Sequence, residues 1–223
     1  MTIKFNDIYL KEVSAVAGKD EKEGAYGNLY DITYDDYYIG QDTFEQAEMK
    51  MVDDSVNKAL EKANITIENI DAIVGADLLN QVTAHAYSSV KTNKPYIGVY
   101  SACASLCEEF IVAGSVLTSS KCKNVLVNVS SHNMTSERQF RNPVEYGAPK
   151  PKRSTFTVTG SASAILTRDK TKIKVSSVTI GKTTDLGVTD VYDMGSVMAP
   201  SAARTIYDHL TSLNETVDNY DLV

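Results

Sequence analysis

Cysteine, histidine and clustered basic residues are all scarce in this 223-residue chain. It has three cysteines, three histidines, and 22 Lys plus Arg against 29 Asp plus Glu. The formal net charge is −7 with no basic block, so the electrostatic footprint of a nucleic-acid partner is missing and none is expected. Cys103, Cys107 and Cys122 make an odd count. The first residues, "MTIKFNDIYLKEV", lack the apolar segment and small-residue cleavage site of a signal peptide. Reduced thiols in an intracellular or membrane-sheltered setting are therefore expected. Zinc would need more soft ligands than His85, His132 and His209 supply, so no metal and no cofactor are expected. Apolar windows such as "FIVAGSV" fall far short of the roughly 20 residues needed to cross a bilayer, so no transmembrane segment is expected. No GxGxxG or GxSxG motif occurs. "SVTIGKT" (177–183) fails as a phosphate-binding loop because Ser176 stands where its first glycine is required. The sequons at Asn64, Asn128, Asn133 and Asn214 carry no meaning without secretion.

What is present is a foldable chain. Hydrophobic residues make up 43%, and the length suits one large core or two small ones. Residues 26–40, "YGNLYDITYDDYYIG", read as an irregular, partly exposed loop. From Thr43 to Ala63 apolar residues recur at helical spacing: Phe44, Met51, Val52, Val56, Leu60 and Ala63. Buried strands are expected at 70–79, 96–102 and 124–131, and helices at 84–93 and 105–121. Residues 154–169 and 172–183 alternate as two strands of a hairpin. A helix is expected over 196–213, with Pro200 in its first turn. Strands alternating with helices imply a layered α/β fold with largely parallel pairing.

The chain also repeats itself. "NITIENID" (64–71) matches "NETVDNYD" (214–221) at an offset of 150, and the preceding helices correspond at Val56 with Ile206 and Leu60 with Leu210. "DDYYIG" (35–40) resembles "DVYDMG" (190–195) after a small shift. Three features in one order argue for duplicated halves. In the second copy the chain stops at Val223, where the next strand should begin. The expectation is a first half over 1–183 and the start of a truncated second half over 184–223, in a chain that is naturally short or a fragment.

Three constellations could carry chemistry. Cys103 lies between a strand and a helix, where unpaired amides and the helix dipole can lower a thiol pKa or hold an anion. Ala102, Ala104 and Ser105 leave room beside it, but cysteine is also a common core residue, and Cys107, one turn on, reads as core. Asp77 and Asn80 follow a strand end, where open α/β sheets bind ligands and where turns favour these residue types anyway. His132 and Asn133 follow the next strand; a histidine there serves as a base, an anion ligand or a structural group. His85 and His209 fall within expected helices, so no other base for Cys103 is evident.

With these residues in view, the chain resembles the stage V sporulation protein AD family of the thiolase-like superfamily. The resemblance runs from about residue 29 to the end. It rests on "YYIGQDTFEQAEMKM" (37–51), "GADLLNQ" (75–81), "SSHN" with "QFRNPVEYG" (130–147), "TVTGSASAIL" (157–166) and "DMGSVMAPSAA" (193–203). It implies a thiolase-like layered αβαβα fold of two similar halves, the first complete here. In thiolases and ketoacyl synthases the cysteine at this helix start is the acyl-accepting nucleophile, and Cys103 matches that position. Those enzymes draw their catalytic histidines, or a histidine and an asparagine, from the second half, so the expectation is a non-catalytic protein.

The family implies binding of dipicolinic acid, or its calcium chelate, and help in its uptake into the developing spore. Its partners would be other proteins of the same sporulation operon, some membrane-embedded, at the periphery of the spore inner membrane. The matching pocket positions are Asp77, Asn80, Cys103, Ala104, Ser105, His132 and Asn133. The resemblance also implies a homodimer paired through "YIGVYSA" (96–102). The competing readings are a ketoacyl synthase III or thiolase-type acyltransferase using Cys103, and an interaction-only role.

Overall fold

The computed structural model describes residues 1–141, 156–190 and 193–222. They form two compact units, one of residues 7–174 and one of residues 1–6 with 175–223. The motif residues 142–147 and the start of the strand expected from 154 lie outside the described residues.

The larger unit is built on a seven-stranded sheet. Its strands are β2 (Tyr9–Ala17), β3 (Ile32–Thr33), β4 (Ala72–Ala76), β5 (Tyr96–Gly98), β6 (Asn124–Ser131), β7 (Gly160–Thr167) and β8 (Ile173–Lys174). They run in the order β3-β2-β7-β6-β4-β5, with β8 pairing β2. β4 pairs β5 and β6 in parallel, whereas β7 is antiparallel to both β6 and β2. The sheet is thus mixed rather than largely parallel. The expected hairpin is absent for a geometric reason: β2 and β6 occupy both edges of β7, so the chain after it must pair elsewhere.

Three helices cover this sheet: α2 (Phe44–Ala63), α3 (Thr83–Val90) and α4 (Ser105–Ser119), after the single turn α1 (Lys19–Lys22). Crossovers between parallel strands are right-handed. The steps from β2 to β4 and from β4 to β5 advance across the sheet in one direction, while the step from β5 to β6 reverses. Handedness therefore puts α2 and α3 on one face and α4 on the other. Of the stripe read from the sequence, Met51, Val52 and Leu60 are buried and seat α2, together with Ala59. Ala59 and Leu60 meet Ile73, Leu126 and Ile165 in the core. Thr43 caps the helix by accepting from the Gln46 amide at 3.2 Å, and Asn64 ends it in the left-handed region at φ 53°.

One expectation changes here. β5 is a short edge strand with Ile97 and Gly98 exposed, not a buried one, because no strand among the described residues pairs its outer side. Ala102–Ser119 averages a hydropathy of 1.3 over 18 residues, enough for a span by length and composition only, and its helix buries Ser105, Glu109, Ala113 and Leu117 as a core helix does.

The smaller unit pairs β1 (Thr2–Lys4) antiparallel with β9 (Ser177–Thr179) and adds α5 (Met194–Leu213). Pro200 lies inside α5, in its second turn rather than its first. His209 bridges Thr179 Oγ1 (2.7 Å) and the Tyr220 hydroxyl (2.9 Å).

Candidate functional site

Because β4, β5 and β6 run parallel, the loops that follow them emerge at one edge of the sheet, where open α/β sheets bind ligands. These loops carry all seven residues singled out from the sequence. The loops after β4 and β6 are joined directly, the Glu137 amide donating to the Leu78 carbonyl at 2.8 Å.

Left-handed backbone concentrates here. Gln81 and Val82 have φ of 61° and 54°, and Ala102 has φ of 47°. Such strain in non-glycine residues, β-branched Val82 above all, persists where surroundings enforce it and is frequent at functional sites. Ala102 opens the 3₁₀ turn Ala102–Ala104 that leads into α4. That turn leaves Cys103 and Ala104 exposed. The Ser105 amide donates to the Ala102 carbonyl of that turn, and no side chain at Ala104 caps the amides that follow in α4. Ser105 is buried instead, its hydroxyl accepting from the Ser101 amide at 3.1 Å. Cys107 is exposed, not core: α4 turns Ser105, Glu109, Ala113 and Leu117 toward the sheet, and Cys107 falls off that stripe.

Asp77 is committed to holding the loop. Its Oδ1 accepts from the Leu79 amide (2.9 Å), and its Oδ2 accepts from the His85 amide (3.0 Å) and faces His85 Nδ1 (3.2 Å). The His85 amide belongs to the first turn of α3, which has no side-chain cap of its own. Asp77 therefore caps α3 from a distance, a favourable place for a carboxylate. Asn80 is exposed, so the two are not presented together as one wall.

His132 is fully buried. Its Nε2 donates to the Tyr37 carbonyl (2.8 Å) and its Nδ1 accepts from the Met134 amide (3.1 Å). Both nitrogens are thus engaged in one tautomer, and burial holds the imidazole below the usual histidine range. Asn133 is half-buried and donates to the Thr157 carbonyl at 3.3 Å. Of the seven residues, Asn80, Cys103 and Ala104 are the exposed ones; the others brace the loops.

Sequence reading missed the polar core beneath the site. His85 Nε2 donates to Asn128 Oδ1 at 2.5 Å, and Asn128 Nδ2 reaches the hydroxyls of Ser55 (2.8 Å) and Ser163 (2.6 Å), tying α2 to β6 and β7. Glu48 is fully buried on α2 and accepts from Ser130 (2.8 Å) and Thr135 (2.5 Å). Burial pushes its carboxyl up to about 8, against those hydrogen bonds. Glu109 on α4 is buried with both carboxyl oxygens unpartnered, and burial raises it to about 9. Burial, then the charges of Glu137 and Asp77, also raise the Tyr100 phenol. The signal was available: Glu48 and Ser55 sit on the apolar stripe of α2, and Asn128 interrupts an apolar strand.

The chain matches the family model for stage V sporulation protein AD over residues 1–223. It is 42% identical over 216 residues to the stage V sporulation protein AD of Bacillus subtilis (strain 168), covering 97% of this chain and 64% of that protein. The chain thus spans 64% of the length of the curated relative it matches. Among solved structures it is similar to 3-oxoacyl-(acyl carrier protein) synthase III of Xanthomonas oryzae, with a TM-score of 0.62 and 14% identity over 98% of this chain and 77% of that one. It is also similar to cerulenin-bound OleA of Xanthomonas campestris, with a TM-score of 0.66 and 15% identity over 98% and 76%. At such identities the likeness establishes the fold, which is thiolase-like.

Proposed function

The chain belongs to the stage V sporulation protein AD family, and from that premise we propose that it is a non-catalytic sporulation protein that binds dipicolinic acid or its calcium chelate. It assists uptake of that ligand into the developing spore, at the periphery of the inner membrane, with membrane-embedded proteins of the same operon. The observation that carries this reading is the family match along the whole chain. The geometry supports it. Cys103 sits exposed at the uncapped start of a 15-residue helix, a place that favours a small dianion. The three histidines are engaged elsewhere: His132 with Tyr37 and Met134, His85 with Asp77 and Asn128, and His209 with Thr179 and Tyr220. A thiol needs an adjacent base or another device that lowers its pKa to act as an efficient acyl acceptor.

Calorimetry with dipicolinate, with and without calcium, tests the proposal on this chain and on the full-length Bacillus subtilis relative. Saturable binding that Cys103→Trp abolishes is expected; its absence from both folded proteins overturns the reading. The alternative, acyl transfer of the ketoacyl synthase type, draws on the exposure of Cys103 and on the fold it shares with 3-oxoacyl-(acyl carrier protein) synthase III. Incubation with an acyl thioester distinguishes the two: an acyl adduct on Cys103, with release of the free thiol, favours the enzyme, and an unchanged intact mass favours the binding protein.

A further inference from the structure

The sheet face covered by α2 and α3 holds an opening that the proposed function does not use. A cleft of about 220 Å³ lies there, lined by Val52, Val56 and Leu60 of α2, Ile73 of β4, Ser88 of α3 and Tyr96 of β5. Apolar surface predominates in its walls, with Asp53, Asn57, Thr92 and Asn128 among the polar residues at its margin. Two of its lining residues nevertheless bury hydroxyls that meet no protein partner, those of Ser88 and Tyr96. Ser88 is only 4% exposed. A helical serine ordinarily returns its hydroxyl to a carbonyl three or four residues back, as Ser89 beside it does to Ala86 at 2.8 Å. Tyr96 lies against Gly75, where an added Cβ would come 3.1 Å from the ring and 2.6 Å from His85. The absent side chain at Gly75 thus lets the tyrosine settle into the cleft.

Burying an unpaired hydroxyl is costly, and native structures rarely do so without reason. The two hydroxyls in this cleft are free to hydrogen-bond a bound molecule. Charge narrows its class. Lys91 at the cleft pairs with Asp53 at 2.5 Å, and His85 is held between Asp77 and Asn128. No lining cation is left unpaired among the described residues, so a dianion gains nothing here. An apolar cavity of about 150 Å³ accepts benzene, so this cleft has room for one ring with a short substituent.

We propose that the cleft between α2 and α3 is a binding site for a small uncharged carbonyl compound. A ring-sized apolar body would rest on Val52, Val56 and Leu60, and the carbonyl oxygen would accept from Ser88 and Tyr96. The cleft's lining does not include Cys103, and its test does not depend on dipicolinate.

The experiment is amide-resolved NMR titration of the full chain with benzamide and with acetophenone. Saturable shifts confined to amides near residues 85–96 are expected with at least one probe. Ser88→Ala and Tyr96→Phe should each weaken that binding about fivefold, and Val56→Trp, which fills the cleft, should abolish it. Without probe, the Ser88→Ala and Tyr96→Phe chains should melt no lower than the parent, because each loses an unpaired group. Either of two binding results overturns the proposal: no saturable binding of either probe by the folded parent, or binding that Ser88→Ala and Tyr96→Phe leave unchanged. A marked loss of stability in the free single variants also overturns it, since the hydroxyls would then already be satisfied within the protein.

Discussion

Buried carboxyls set the pH response of this protein. Glu48 titrates at about 8 in the fold and near the ordinary glutamate value when unfolded. A carboxyl raised in this way stabilises the fold fully below the unfolded pKa, and that contribution is lost as pH climbs through the folded one. Melting temperature should therefore fall between about pH 4.5 and 8, and the fall should be smaller in Glu48→Gln, measured by calorimetry across that range. Asp77 holds the loop through hydrogen bonds: its oxygens are occupied by the Leu79 and His85 amides. Asp77→Ala should cost on the order of 3 kcal/mol in denaturant unfolding, as removal of a buried hydrogen-bonded carboxylate does. A result under about 0.5 kcal/mol would mean the loop holds without it.

At the scale of elements, α2 and α5 carry one design twice. Each spans 20 residues and has a side-chain N-cap, Thr43 accepting from Gln46 and Asp193 from Ser196. Each ends on a left-handed asparagine, Asn64 or Asn214, and is followed by a capping box, Thr66 with Asn69 or Thr216 with Asn219. The repeat in the sequence is thus a repeat of local backbone geometry. Asn64→Gly should be nearly neutral, because glycine accepts the left-handed conformation freely. Asn64→Ala should cost about 1 kcal/mol; equal stability of the two variants, read from urea midpoints, would contradict the left-handed cap.

Across the whole molecule, the fold is thiolase-like, and β5 lies at the edge of the larger sheet. Ile97 on that strand is 39% exposed, and the strand's unpaired backbone groups are a template for another chain. The proposed homodimer would pair two such edges. Ile97→Lys places a charge there and should shift the sedimentation profile toward monomer; a parent that sediments as a monomer at all concentrations removes the proposal.

The sequence by itself determined what local rules control. Caps, helical stripes and asparagine-marked ends are written in adjacent residues, so α2, α4, β6 and the repeat were legible, as was the family through its motifs. Tertiary structure decided what depends on distant neighbours. β2 was not read as a strand, although it pairs β3, β7 and β8, because its partners lie far along the chain. The same holds for the site. That Cys103 would stand exposed while His132 turned inward to Tyr37, and that Asp77 would cap α3, follow from which chain segment packs against each side chain. A residue's type fixes the bonds it can make, and only the packed neighbours fix which of them it has left for a ligand.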